Sequence, residues 1–168
     1  MNVRELMTPF PEVCLATDSC AAVGEAMRQR GCGYIPIVEN RATQRVIGVV
    51  TDRDLALYLV RANQPASDLT VEACMTKQPR TISPDAELEE AAKAMESLAV
   101  HRLPVVQDGR LIGVLSLKDL AMAAQRQWAT AGPHMVERQL MEIIEAIAAA
   151  QLGVTQGSGT GTKFPGGL

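Results

Sequence analysis

The sequence predicts an α+β fold in which one β-α-β-β-α unit occurs twice. The two copies pack as a pseudo-twofold pair, with an amphipathic helix added on the C-terminal side. Three repeated blocks carry this reading. Val3-Arg4-Glu5-Leu6-Met7-Thr8 returns as Val71-Glu72-Ala73-Cys74-Met75-Thr76, and Tyr34-Ile35-Pro36-Ile37-Val38 returns as Arg102-Leu103-Pro104-Val105-Val106. Val46-Ile47-Gly48-Val49-Val50-Thr51-Asp52-Arg53-Asp54-Leu55 returns as Leu111-Ile112-Gly113-Val114-Leu115-Ser116-Leu117-Lys118-Asp119-Leu120. The first two blocks share an offset of 68 (Val71 against Val3, Pro104 against Pro36) and the third an offset of 65 (Gly113 against Gly48). The missing residues fall in one polar connection, Glu39–Arg45 against Gln107–Arg110, and a loop tolerates such a loss where a core does not. A unit of roughly 60 residues buries too little surface to be stable alone, so the pair is the expected folding unit. The organisation read from the chain is a first repeat over 1–66, a second over 67–128, a helix over 133–151 and a flexible tail over 152–168.

Each repeat is read the same way. A short lead-in (Val3–Met7; Val71–Met75) reaches Met-Thr, and an extended stretch follows (Glu12–Ala16; Arg80–Ser83). A helix comes next, over about Ser19–Arg30 and Glu87–Leu98, with Asp18 as the expected N-cap and Gly31 as the left-handed C-terminal residue of the first copy. Asp85, Glu87, Glu89 and Glu90 crowd the start of the second copy's helix, which suits its dipole. Two short β-branched strands follow in each copy, Tyr34–Glu39 with Arg45–Val50 and Leu103–Gln107 with Leu111–Leu115. In the second copy Asp108-Gly109 marks a tight hairpin. A closing helix spans Asp52–Arg61 or Leu117–Gln127, and Asn63–Thr70 joins the copies. Beyond the break at Gly132-Pro133, Val136, Leu140, Ile143, Ile144 and Ile147 form one apolar stripe at helical spacing. Such a stripe is expected to add to oligomer contacts. The run Gly153–Leu168 has no apolar period and reads as tail.

Composition narrows the function classes. Hydrophobic residues make up 47% and aromatic residues 3%, so the core is aliphatic. Net charge is −3 with no basic run, which gives no footprint for nucleic acid. No stretch reaches the roughly 20 apolar residues of a membrane span, and the first ten residues lack the apolar region of a signal peptide. Cys14, Cys20, Cys32 and Cys74 form no CxxC, and only His101 and His134 could join them. Reduced thiols in a cytoplasmic protein and no metal site are therefore expected. No nucleophile–base pair stands out, so an enzyme is not expected.

The motif that could carry chemistry is Gly-apolar-apolar-(Thr/Ser)-x-x-Asp at a strand-to-helix junction, present as Gly48…Thr51…Asp54 and Gly113…Ser116…Asp119. One reading is purely structural, because a hydroxyl followed three residues later by an acid is a helix capping signature. Capping alone does not require the glycine, nor the basic residue before the acid (Arg53, Lys118). A glycine at a strand end allows another backbone or a ligand to approach closely. A hydroxyl at a helix N-terminus is well placed for an anion, and an Asp one turn in can accept from ribose hydroxyls.

The doubled unit resembles a pair of CBS domains, the arrangement called a Bateman module, over about Met1–Gln127. The Met-Thr lead-ins, the apolar-Pro-apolar-Val strands and the Gly-x-x-(Thr/Ser)-x-x-Asp segments carry the resemblance. It implies a regulatory module that binds adenosine-containing ligands, AMP, ADP or ATP with NAD or S-adenosylmethionine as alternatives, in clefts between the repeats. It also implies a homodimer acting on a protein target. The residues it implies are Thr51 and Asp54 in one cleft and Ser116 and Asp119 in the other, with Val49, Val50, Val114 and Leu115 against the adenine. Val100-His101-Arg102-Leu103 resembles the nucleotide sites of the γ subunit of AMP-activated protein kinase, where a His-Arg pair reaches phosphate. This makes Arg102 the first expected phosphate ligand and His101 the second. Cys32-Gly33-Tyr34 takes their place in the first copy, so the Ser116/Asp119 cleft is expected to be the tighter one. The alternative is an interaction module whose pockets have degenerated.

Overall fold

The computed structural model describes residues 1–123 together with 141, 144 and 145. Apart from those three residues, the helix expected over 133–151 and the tail over 152–168 lie outside the described residues. In chain order the elements are α1 (Val3–Leu6), β1 (Thr8–Pro9), β2 (Cys14–Leu15), α2 (Cys20–Arg30), β3 (Tyr34–Val38), β4 (Val46–Thr51) and α3 (Asp52–Ala62). A 3-10 turn over Val71–Ala73 opens the second copy, followed by β5 (Thr76–Lys77), α4 (Leu88–Leu98), β6 (Arg102–Gln107) and β7 (Arg110–Ser116), after which residues 117–123 are helical.

The lead-in of each repeat belongs in space to the other repeat. One sheet runs β2-β3-β4-β5 and the other β1-β7-β6. β1 is thus an edge of the second repeat's sheet, with Thr8 opposite Val114 and Pro9 opposite Gly113. β5 is an edge of the first repeat's sheet, with Gly48 opposite Lys77 and Val49 opposite Thr76. The backbone confirms the crossing in matched pairs. Val3 N–H donates to Ala86 O (3.0 Å) and Arg4 N–H to Pro84 O (2.9 Å); in the mirror arrangement Val71 N–H donates to Asp18 O (3.0 Å) and Glu72 N–H to Ala16 O (3.1 Å).

The core follows the same division. Val3 is buried with Ile82, Leu88, Met95, Leu103 and Leu115, whereas Leu69 and Val71 are buried with Val23, Met27, Ile35 and Val50. A third cluster of Val13, Val38 and Leu111 joins the two halves. Because each half completes its core with a segment of the other, neither can close alone, as their small size requires.

Local chemistry explains most boundaries. The β6–β7 turn has Asp108 at φ 51° and Gly109 at φ 77°, the paired positive angles of a type I′ hairpin that the Asp-Gly pair favours. The longer first-copy turn is tied by Asn40, whose Oδ1 accepts from Ala42 N–H (3.1 Å) and Thr43 N–H (2.8 Å). Gly31 caps α2 at φ 60°, as expected. The N-cap of α2 is Ser19, whose Oγ accepts from Ala22 N–H (3.1 Å), rather than Asp18. The Asp18 carboxylate turns back instead to accept from Leu15 N–H (2.8 Å) and close the preceding turn. α1 carries a capping box of its own, Asn2 with Glu5.

The four cysteines are free thiols. Burial pushes Cys14 and Cys74 each up to about 11 from an ordinary 9.0, and Cys20 also upward. The fold holds these groups protonated while the unfolded chain lets them ionise, so their contribution is fully present below about pH 9 and is lost as pH rises towards 11. The urea midpoint is therefore expected to fall between pH 9 and 11. Cys14→Ala with Cys74→Ala should flatten that fall, and an unchanged slope would show that the thiols are not its source.

Candidate functional site

The two motif junctions are built alike. β4 ends at Thr51, which is the N-cap of α3. Thr51 Oγ1 donates to Asp54 Oδ2 (2.7 Å), Thr51 N–H donates to the same oxygen (2.9 Å), and Asp54 N–H returns to Thr51 Oγ1 (3.1 Å). At the end of β7, Ser116 and Asp119 repeat this with 2.6, 2.8 and 3.3 Å. The capping role is thus realised at both sites. It consumes only Oδ2 of each aspartate. Asp54 Oδ1 and Asp119 Oδ1 accept no hydrogen bond among the described residues, and each remains able to accept from a ligand.

The glycine of the motif serves the crossing. A Cβ on Gly48 would lie 2.7 Å from Met75 Sδ and 3.1 Å from Thr76 O, and a Cβ on Gly113 would lie 2.5 Å from Met7 Sδ and 3.0 Å from Thr8 O. The close approach is that of the other repeat's lead-in strand. The repeated Met-Thr and the motif glycine are therefore two sides of one contact.

A cleft of about 950 Å³ opens between the repeats on the side of Thr51 and Asp54. Val49 lines it as well, and Leu98, Val100 and Pro104 supply apolar wall. Four basic side chains line it: Arg53 at the start of α3, Arg80 in the segment after β5, and His101 and Arg102 at the start of β6. None of the four makes an ion pair among the described residues. The Arg102 guanidinium stands over the Tyr34 ring, 5.6 Å from its centroid. Burial raises the Tyr34 phenol above its ordinary value against a small opposing pull from Arg102, so the ring faces the guanidinium uncharged. Tyr34 and Arg102 occupy equivalent positions in the two copies, opposite Thr51 and Ser116 respectively.

This placement redraws the expected grouping. His101 and Arg102 line the cleft of Thr51 and Asp54, whereas Ser116, Asp119 and Val114 lie at the equivalent junction outside it. The strand-start residues of both copies, Tyr34 and Arg102, meet at the cleft of Thr51 and Asp54. Arg102 still borders Ser116 through the strand register. Val50 and Leu115 are a second correction. Both are fully buried in the two cores, because side chains alternate along a strand and Val49 and Val114 take the outward places.

Arg80 and Gln78 were not among the expected site residues, yet both line the cleft. They follow the crossing strand β5, so their position depends on which sheet that strand joins. A signal did exist: at the offset of 68, Arg80 falls opposite Glu12, a reversal of charge one residue after the matched prolines Pro79 and Pro11. No group of three or more His, Cys, Asp or Glu side chains among the described residues could hold a metal ion. No helix among them is long and apolar enough to cross a membrane.

The geometry matches a known family. The model of the CBS domain fits residues 3–61 and again residues 67–126. The chain belongs to the CBS domain family. Among curated relatives, the uncharacterized protein YlbB of Bacillus subtilis (strain 168) is 31% identical over 124 residues, which span 74% of this chain and 82% of YlbB. The inosine-5′-monophosphate dehydrogenase of Korarchaeum cryptofilum is 32% identical over 129 residues, 76% of this chain but only 24% of that enzyme. This tandem CBS chain therefore matches a small part of the dehydrogenase. Among solved structures, CBSX2 in complex with AMP aligns at a TM-score of 0.62 and 27% identity, covering 74% of this chain and 96% of CBSX2; CBSX2 comes from Arabidopsis thaliana.

Proposed function

We propose that this protein is a non-catalytic sensor module of the cytoplasm. It binds one phosphorylated adenosine ligand in the cleft of Thr51, Asp54, His101 and Arg102, and occupancy is read by a protein partner or by the protein's own homodimeric assembly. A single observation carries the reading. One cleft combines a ribose-accepting group, Asp54 Oδ1, held rigid because Oδ2 caps α3, with basic groups brought to the same space from the other repeat. Val49 supplies outward apolar surface for a base, and Arg102 presents a planar fork to phosphate oxygens. The AMP complex of CBSX2 supports an adenosine ligand of this type.

The test begins with mass spectrometry of small molecules that co-purify with the native protein. Calorimetric titration with adenosine, AMP, ADP, ATP, NAD and S-adenosylmethionine follows. Arg102→Ala is expected to weaken AMP by roughly tenfold or more, the range for a hydrogen bond to a charged group, and to leave adenosine nearly unchanged. Equal weakening of adenosine and AMP would remove Arg102 as a phosphate ligand. No binding by any of the six would favour an interaction module instead.

A further inference from the structure

Resting on that reading of the cleft, we infer that its ligand class is a nucleoside di- or triphosphate and that Arg80 is the residue that selects it over a monophosphate. The basic groups come from three separate elements: His101 and Arg102 from the start of β6, Arg53 from α3, and Arg80 from the segment after β5. A monophosphate offers one set of oxygens, which the adjacent His101 and Arg102 are placed to hold. Guanidinia on two further elements have no role in such a complex, whereas a chain of phosphates can reach more than one element. The cleft's acids, Asp52 and Asp54, form no ion pair with them among the described residues. Asp54 is engaged by Thr51, Asp52 Oδ1 accepts from Arg53 N–H (2.8 Å), and Arg80 is exposed without an acidic partner among the described residues. A volume of about 950 Å³ admits the longer ligand.

The equivalent positions of the other copy provide a contrast inside the same molecule. Where the cleft has Arg80 and His101, they have Glu12 and Gly33, while Arg102 and its counterpart Tyr34 both line the cleft. The Glu12 carboxylate is tied to Arg30 (2.7 Å). Only Lys118 matches a basic residue, Arg53. Charge therefore accumulates on one side of the pseudo-twofold, and one polyphosphate per chain follows.

Calorimetry on the full chain in magnesium-free buffer tests this with adenosine, AMP, ADP, ATP and inorganic triphosphate. Affinity is expected to rise with each phosphate, at a stoichiometry of one per chain, and inorganic triphosphate is expected to compete with ATP. Arg80→Gln is expected to lower the ATP-to-AMP affinity ratio by on the order of tenfold. Lys77→Gln removes a neighbouring charge that is already paired with Glu72 (3.2 Å), and it should leave that ratio in place. An ATP affinity no better than that of AMP, a ratio unmoved by Arg80→Gln, or a ratio moved equally by Lys77→Gln would each overturn the inference. In those cases a site that still binds adenosine and AMP leaves the underlying reading intact. Failure of adenosine and of every nucleotide to bind would overturn both.

Discussion

Deleting residues 1–10 is expected to loosen the second repeat first, although the deleted segment precedes the first repeat in sequence. Val3 is fully buried in the second repeat's core, and burying such a side chain contributes about 1.5–3 kcal/mol. The backbone bonds of Val3 to Ala86, Arg4 to Pro84 and Phe10 to Ile112 add roughly 0.5–1.5 kcal/mol each. The deletion thus removes several kcal/mol from a fold whose total stability is on the order of 5–15 kcal/mol. Hydrogen exchange should show protection falling in residues 82–120 before it falls in residues 12–62. Equal loss in both would mean that the two repeats open as one unit, and loss first in residues 12–62 would mean that the lead-in does not complete the second repeat's sheet. The point substitution Gly113→Leu should mimic the deletion in smaller size, because even a Cβ there would lie 2.5 Å from Met7 Sδ and 3.0 Å from Thr8 O. Overpacking of this kind costs about 1–3 kcal/mol.

The parts of this fold that the sequence revealed are those decided by neighbours along the chain. Asp108-Gly109 adopts two positive φ angles that few other pairs tolerate, and it makes its hairpin wherever it sits. Gly31 ends its helix for the same reason. Thr51 with Asp54, and Ser116 with Asp119, cap helices within four residues of chain. The features that escaped depend on which surfaces meet. Nothing in Thr8-Pro9 or Thr76-Lys77 says that each strand crosses to the other copy's sheet. Yet that crossing brings Arg80 to the cleft and gives Gly48 and Gly113 their purpose. The placement of His101 and Arg102 at the cleft of Thr51 likewise depends on how the two copies meet. Val49 and Val50 are successive strand residues, so their side chains point to opposite faces of the sheet, as do those of Val114 and Leu115.

Asp54→Ala and Asp119→Ala are expected to cost the same in stability and very different amounts in ligand binding. Each aspartate caps a helix through Oδ2 in nearly the same geometry, at 2.7 and 2.6 Å from its hydroxyl partner. Losing either cap should cost about 0.5–2 kcal/mol, and the two urea midpoints should shift together. Only Asp54 lines the cleft that holds Arg53, Arg80, His101 and Arg102. Its second oxygen is the group proposed to accept from the ribose, so Asp54→Ala should weaken an adenine nucleotide by a further 1.5–3 kcal/mol or so, tenfold or more. Asp119→Ala should leave that affinity within about twofold, since its cap break lies at the equivalent junction, outside the cleft. The asymmetry separates the two roles that one motif combines. Parallel losses of stability with no difference in affinity would reduce the motif to a helix cap at both sites. A larger affinity loss from Asp119→Ala would return the nucleotide to the junction of Ser116, with Arg102 reaching it along the strand register rather than across the cleft.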